Sequence, residues 1–239
     1  MTLAPPAPPQ EASISDHATA ADAAGRRGFG PRVRRLHARI GKAHHQAEGM
    51  AFSRALLNGE ASSLQLAALI RALQPAYALL EDRAPALATA LGGAGIPWQQ
   101  LSRSACLAED VDALSGLSAT PVSPAATAWL ARLQELADRQ PHRLMAHVYV
   151  RYGGDLSGGQ QLAEQANRIL AADGLPALRF WSFSQPIPEL KSQLHAGFET
   201  LDLSEAEEQE LLEESEAAFL LTQRLLAELA DLAAQPASS

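Results

Sequence analysis

Two short segments of the chain carry side chains that could bind a metal and move protons. In the first, residues 42–48, His44 falls on or beside an apolar helical stripe, whereas His45 is turned about 100° away from it. A neutral imidazole is a good metal ligand, and a partner at its second ring nitrogen fixes the tautomer. His44 is therefore the first candidate ligand.

The second segment, residues 147–160, contains four glycines within seven residues. They are Gly153, Gly154, Gly158 and Gly159. Each costs a helix about 1 kcal/mol relative to alanine, so something must require the backbone to be exposed or bent here. Asp155 lies among them, and a buried carboxylate that organises water can steer a proton.

The composition predicts a helical protein. Of the 239 residues, 47% are hydrophobic and 19% are charged, which allows a sizeable core to be buried. Aromatic residues make up only 5%, and the abundance of alanine and leucine favours helix over strand. We therefore expect an all-α fold.

Charge, cysteine content and hydropathy exclude several classes of protein. A net charge of −8 argues against a protein that binds nucleic acid through its phosphates. The single cysteine, Cys106, permits neither an intrachain disulfide nor a cysteine-based zinc site. No apolar run is long enough to predict a membrane span, and the N-terminus does not have the pattern of a secretory signal peptide. We expect a soluble, cytoplasmic protein without a nucleic-acid or membrane partner.

Helix signals place both segments within one domain. Residues 1–30, which begin with a proline-rich stretch, are predicted to be a disordered tail, residues 31–232 a single helical domain, and residues 233–239 a flexible tail. The first helix is predicted to begin at Pro31. A long helix is predicted to begin at Pro141 and to be interrupted by the glycine run.

Other signals mark the elements around these segments. Ser62 and Ser204 each precede a glutamine or glutamate by three residues, which is the pattern of a helix-capping box. Pro75 lies inside a helical pattern and is predicted to kink it. The stretch 179–183 looks strand-like but is flanked by prolines, so we expect a packed loop.

Taken together, the two segments resemble the haem oxygenase family. Residues 44–48 are similar to its H-x-Q-A-E pattern, and residues 151–160 to its long and specific R-Y-x-G-D-L-S-G-G-Q pattern. Three further stretches are similar to other helices of the family in the same order: 73–81, 107–111 and 218–221. The resemblance covers residues 31–232.

The resemblance implies a single-domain fold with haem between the first helix and a kinked, glycine-rich distal helix. His44 would be the axial ligand of the haem iron, and Glu48 would orient its imidazole through a hydrogen bond. Gly154 and Gly158 would press their backbone on the distal face of the haem, and Ser157 would belong to the same binding surface.

Three further residues would assist the reaction that the resemblance implies. Asp155 would hold a water network beside bound oxygen, helped by Tyr77 and Arg151. The family converts haem and O2 to biliverdin, carbon monoxide and ferrous iron, so haem would be both cofactor and substrate. The sequence contains no flavin or dinucleotide motif, so the electrons would come from a separate ferredoxin or flavoprotein reductase.

The positions near the haem propionates depart from the family pattern. Family members often place basic side chains there, on the first helix and on the helix before the last. The corresponding first-helix positions hold His37 and Gly41, while the later helix presents Lys191 and His195 four residues apart. We expect Lys191 and His195, with help from His37, to contact the propionates.

Less specific interpretations stay open for several of these features. The alternative function is a haem-binding or haem-sensing protein of the same fold without turnover. The alternative interpretation of Tyr77 is ordinary packing, and that of Arg151 is a surface cation. His147 is interpreted as a structural hydrogen-bonding residue. The basic residues between 32 and 42 are typical of a solvated helix face. The other interpretation is that they attract the haem carboxylates or an acidic electron-donor protein. The glutamates after Ser204 are interpreted as helix capping.

Overall fold

The computed structural model describes residues 29–117 and 122–233. The predicted disordered N-terminal tail lies outside the described residues up to position 28, and the predicted flexible C-terminal tail lies outside them from position 234.

Every regular element in these described ranges is helical, so the all-α prediction is confirmed. The α-helices are α1 (Pro31–Glu48), α2 (Ala51–Leu57), α3 (Ser63–Ala90), α4 (Trp98–Leu101), α5 (Ser104–Ala113), α6 (Pro124–Arg139), α7 (Pro141–Ser157), α8 (Gly159–Ala172), α9 (Ile187–Glu199) and α10 (Glu205–Ala233). Within the same ranges, no helix is both long and apolar enough to cross a lipid bilayer.

Local sequence signals account for the helix ends. Pro31 occupies the first turn of α1, where a missing backbone N–H costs nothing. The hydroxyl of Ser62 accepts a hydrogen bond from the backbone of Gln65 at 3.2 Å, and the Gln65 side chain accepts one from the backbone of Ser62 at 2.9 Å. Ser204 and Glu207 exchange the same two contacts at the start of α10. Both predicted capping boxes are therefore confirmed.

Helix α3 continues through two prolines, Pro75 and Pro85, over 28 residues. A proline lacks the N–H that would pair with the carbonyl four residues earlier, so each weakens the helix locally. The helix also packs against α5, α6 and α7, and this burial stabilises it. Pro75 therefore lies within the helix that carries Tyr77 and does not end it.

Helix α10 is the element against which both chemically interesting segments are packed. Its most extensive contacts are with α7 and then with α1, which carry the distal and proximal segments respectively. The predicted apolar stripe of α1 is buried, and its members are Val33, Leu36, Ile40, Ala43 and Ala47. The position of α1 relative to α7 is therefore set mainly through α10.

A buried carboxylate on α10 fixes α1 in place. Glu208, which is 7% exposed, forms ion pairs with Arg32 and Arg35 of α1. Arg32 is also buried, and its guanidinium donates to the carbonyl of Phe198 in α9 at 2.6 Å. The interpretation of the basic residues between 32 and 42 as a solvated face is therefore wrong for Arg32, because its charge is neutralised inside the protein.

A second buried carboxylate holds α7. Glu214 accepts hydrogen bonds from Arg132 of α6 at 2.6 Å and from His147 of α7 at 3.1 Å, and Arg143 of α7 lies 3.4 Å away. Helix capping by Ser204 and its partner explains only the first turn of α10. It does not explain the buried glutamates further along, because those contact cations on other helices.

The predicted interruption of the distal helix occurs at Gly158, between α7 and α8. The N–H of Gly158 still bonds to the carbonyl of Gly154 at 3.0 Å, which closes the last turn of α7. The predicted packed loop at 179–183 is also confirmed. Asp110 accepts hydrogen bonds from two backbone N–H groups of that loop, each at 2.8 Å.

Removing the carboxylate of Glu208 is expected to destabilise the fold. Glu208→Ala leaves the buried Arg32 without its anion, so the free energy of unfolding should fall by about 3 kcal/mol in urea denaturation. Glu216→Ala on the same helix is the control. Glu216 pairs with Arg39 at 3.0 Å through side chains that are 48% and 43% exposed, and we expect a change below about 1 kcal/mol. Equal losses in the two variants would contradict the role given to Glu208.

Candidate functional site

Three of the predicted site residues form one buried cluster on the distal side. The hydroxyl of Tyr77, on α3, donates to a carboxylate oxygen of Asp155, on α7, at 2.5 Å. Arg151, one turn before Asp155, donates from Nε to the same tyrosine oxygen at 3.2 Å. Its guanidinium carbon lies 5.6 Å from the centroid of the Tyr77 ring. The structure thus joins residues that lie 78 positions apart in the sequence.

Burial controls the ionisation of this cluster. It raises the pKa of Asp155, and the charge of Arg151 and the hydrogen bond from Tyr77 oppose that rise. Burial also raises the pKa of Tyr77 well above its usual range. Tyr77 therefore stays protonated and acts as a donor, while the Asp155 carboxyl holds a proton more readily than an exposed aspartate does.

A second tyrosine connects the cluster to helix α5. Tyr152 packs edge-on against Tyr77, with ring centroids 5.5 Å apart, and its hydroxyl donates to Glu81 at 3.1 Å. Glu81 also accepts from the backbone N–H of Ser104 at 3.1 Å, which satisfies a free donor at the N-terminus of α5. The ring of Tyr77 is therefore held on one side by a side chain that is itself fixed.

The backbone beside this cluster is open on one face. A Cβ atom added at Gly154 or Gly158 would meet no atom within 4 Å. Gly159 differs, because a Cβ there would lie 2.7 Å from the indole of Trp181. Gly154 and Gly158 are four residues apart and share a face, near which Ser157 is exposed. That face offers bare backbone to a flat ligand.

The predicted ligand His44 lies on α1 with its ring half exposed. Its side chain is 49% exposed, against 91% for His45. The ring packs edge-on against Phe219 of α10, with centroids 5.8 Å apart. The Nδ1 atom lies 3.7 Å from a carboxylate oxygen of Glu48, which is too long for a hydrogen bond. The contact with Glu48 is therefore electrostatic, and packing against Phe219 restricts the rotation of His44.

The predicted propionate-binding residues lie together between α1 and α9. Phe29 packs against the rings of His37 and His195, with centroid distances of 5.8 and 4.7 Å. Burial, together with the nearby charges of Lys191 and His37, lowers the pKa of His195 to about 4. His195 is therefore neutral at pH 7. Gly41, the other position that departs from the family pattern, has open space where a side chain would lie.

Two buried residues near Arg151 were not identified from the sequence. Trp129, on α6, has its ring centroid 5.4 Å from the Arg151 guanidinium carbon and donates from its indole N–H to Nδ1 of His147 at 3.2 Å. Glu214 is the other residue, and its carboxylate lies 3.1 Å from Nε2 of His147. His147 itself is fully buried, so its interpretation as a structural hydrogen-bonding residue is confirmed.

Two cavities lie beside other parts of the fold. One, of about 330 Å³, is lined by Glu81, Pro85, Trp98, Gln99 and Ser102. The other, of about 420 Å³, lies between α3, α6 and α10. The first reaches the distal cluster through Glu81, which accepts the hydrogen bond from Tyr152. Neither is lined by His44, Gly154 or Gly158.

Known proteins share this arrangement of helices, and the matched part of the chain includes both motifs. The family model for heme oxygenase matches residues 33–228. A heme oxygenase of Pyropia yezoensis is 28% identical over 193 residues, which cover 79% of this chain and 81% of that protein. The structure of heme oxygenase from Leptospira interrogans has a TM-score of 0.72 and 31% identity, and the match covers 81% of this chain and 97% of that one.

A second solved structure extends the comparison to a ligand complex. Heme oxygenase-2 from Synechocystis sp. PCC 6803, in complex with heme and NO, has a TM-score of 0.74 and 28% identity. The match covers 85% of this chain and 86% of that one. Because the family model spans most of the described helices, including α1, α3 and α7, the chain belongs to the heme oxygenase family.

Proposed function

We propose that this haem oxygenase binds haem between α1 and α7 and opens it to biliverdin, carbon monoxide and ferrous iron. The observation that carries the proposal is the buried cluster of Tyr77, Arg151 and Asp155 beside the bare backbone of Gly154 and Gly158. Bound haem supplies the iron centre at which O2 is activated, and the protein supplies ligation, shape and protons.

His44 is proposed to ligate the haem iron from α1. Its ring is half exposed, so a nitrogen is accessible, and its edge-on contact with Phe219 limits the directions in which that nitrogen points. The carboxylate of Glu48 lies 3.7 Å from Nδ1 of His44 and is proposed to orient the imidazole. On the opposite side, the open space at Gly154 and Gly158 accommodates a flat macrocycle, so the residues present fit haem.

Asp155 is proposed to direct protons to the reacting edge of the haem. Its pKa is raised by burial, and a carboxyl with a pKa nearer the working pH can give up and regain a proton. Tyr77 holds one carboxylate oxygen through a donated hydrogen bond, and Arg151 holds Tyr77. Trp181 also hydrogen-bonds to this carboxyl, and we assign its remaining lone pairs to the water molecules that carry the proton.

The pair Lys191 and His195, with His37, is proposed to bind the haem propionates. Lys191 supplies a full positive charge, whereas His195 is neutral at pH 7 because of its lowered pKa. A carboxylate placed beside His195 would favour its protonated form, so binding of haem opposes the effect of burial. Phe29 holds the rings of both histidines in place.

Electrons are proposed to come from a separate ferredoxin or flavoprotein reductase, since the sequence has no flavin or dinucleotide motif. The single cysteine is consistent with the proposed location in the reducing cytoplasm. The other function considered, a haem sensor without turnover, is not favoured. A sensor has no use for a buried carboxyl that accepts a hydrogen bond from Tyr77 next to the ligand surface, whereas proton delivery requires a titratable group there.

Replacing His44 tests the ligation. His44→Ala should weaken haem binding by about tenfold or more and remove the absorption bands of an imidazole-bound ferric haem, because the protein then lacks its ligand on α1. His45→Ala is the matched control, since that side chain is almost fully exposed. Absorption spectra and haem titrations measure both effects. A larger loss in His45→Ala would place the ligand one residue further along.

Replacing Asp155 tests the proton transfer. Asp155→Ala should lower the rate of biliverdin formation by about 10²-fold, the size of a lost general acid. The haem dissociation constant should change little, because ligation depends on α1. Asp155→Asn, which still accepts a hydrogen bond from Tyr77 but cannot titrate, should be nearly as slow. Turnover at the native rate in either variant would show that another group delivers the proton.

Reversing the charge of Lys191 tests the propionate site. Lys191→Glu should weaken haem binding by about fivefold, equivalent to about 1 kcal/mol, or change the ratio of biliverdin isomers by reseating the macrocycle. Arg168→Glu, at an exposed position of α8, is the control for the change in net charge. An unaltered affinity and isomer ratio in Lys191→Glu would remove this residue from the site.

A further inference from the structure

We infer that a buried series of three residues, Glu214, His147 and Trp129, positions Arg151 for the reaction. The inference rests on the proposed function, because Arg151 matters through the Tyr77 hydroxyl that it holds. The three residues act on the site only through Arg151, so they are positioning residues. They extend the distal site from α7 across α6 to the last helix.

The chemistry of the donors fixes every proton in this series. An indole N–H can only donate, so Nδ1 of His147 must accept the hydrogen bond from Trp129 at 3.2 Å. The ring proton then lies on Nε2, which donates to Glu214 at 3.1 Å. Burial lowers the pKa of His147, which keeps the ring neutral. Burial alone would raise the pKa of Glu214, but the hydrogen bonds from His147 and Arg132 lower it to about 2.

The other end of the series is the face of the Trp129 ring. The guanidinium carbon of Arg151 lies 5.4 Å from the centroid of that ring and 5.6 Å from the centroid of Tyr77. A guanidinium is attracted to the faces of aromatic rings, so both rings restrict it. In this position its Nε donates to the Tyr77 hydroxyl at 3.2 Å. Rotation of Trp129 would therefore move the donor that holds Tyr77.

Packing alone does not require this polar series. Glu214 is 1% exposed, His147 0% and Trp129 5%. A phenylalanine at 129 and aliphatic residues at the other two positions would avoid the cost of burying polar groups. When every buried polar side chain in a series has its hydrogen-bond partners, those bonds restrict side-chain orientation more than apolar packing of the same volume does. What it restricts here is the plane of the indole that contacts Arg151.

The first test removes only the indole donor. Trp129→Phe keeps an aromatic face but loses the hydrogen bond to His147. In haem-free protein, proton NMR should show the Nε–H of Arg151 exchanging with solvent about tenfold faster, because its contact with Tyr77 is no longer held. The haem-loaded variant should lose about 10- to 100-fold in kcat with an unchanged haem dissociation constant. Trp98→Phe, on α4, is the matched control and should change neither quantity.

The second test separates a hydrogen-bonding role of His147 from a titrating one. The side chain in His147→Gln can still accept from Trp129 and donate to Glu214, so it should restore slow exchange of the Arg151 Nε–H and most of the turnover. His147→Leu cannot do either and should resemble Trp129→Phe. The NMR measurement needs no haem, so its outcome is independent of whether the proposed reaction is correct.

Two outcomes would overturn the inference. One is native exchange at Arg151 in Trp129→Phe, measured in a variant whose circular dichroism shows the native helix content. The other is a loss of turnover in His147→Gln while Arg151 stays protected, since His147 would then act through its own proton and not through Trp129.

Discussion

Two buried carboxylates on α10, Glu208 and Glu214, neutralise cations from helices on either side, and the positions of α1 and α7 depend on them. Apolar packing between helices is strong but not directional, so it does not by itself fix how far apart two helices lie. A charge buried without its partner is strongly unfavourable, so each ion pair specifies one position of the helix that brings the cation. Through Arg32 and Arg143, α1 and α7 are both located relative to one helix, and the proposed haem site lies between them.

The distal site combines features that weaken a helix with packing that compensates for them. Pro75 lies two residues before Tyr77, and the glycine run surrounds Asp155. Each costs local helical stability, and the glycines leave backbone accessible beside Asp155. The hydrogen bonds among Tyr77, Arg151 and Asp155 are buried, where they are stronger than in water and where unpaired groups would be costly. The rigidity that the proposed proton transfer needs thus comes from side chains on two helices, α3 and α7.

The residues proposed to bind the haem propionates combine a permanent charge with a neutral, titratable side chain. Lys191 carries a full charge, whereas His195 is kept neutral by burial and by its cationic neighbours. An arginine at this position would remain charged in the same surroundings. In the proposed propionate site, the attraction for the haem carboxylates would therefore depend on the ligand, because a bound carboxylate favours protonation of the imidazole.

The sequence alone determined the local features of this protein. Capping boxes, the proline at the start of α1, the glycine break and the apolar stripe are short-range patterns, and each was located correctly from neighbours within one or two turns. The choice of His44 over His45 also rests on such a pattern, because the helical turn separates their faces by about 100°. Asp155 was identified by its place in a long and specific motif.

Only the tertiary structure decided which charged side chains and polar rings are buried and which partners they contact. Arg32 looked like part of a solvated surface and proved to be buried, because its partner Glu208 lies 176 residues further along the chain. The link from Glu214 through His147 to Trp129 is equally invisible in the sequence, since its members lie on three helices. Helical periodicity records which face of a helix is buried. It does not record which side chain of another helix lies opposite, and that neighbour decides whether a buried charge is neutralised.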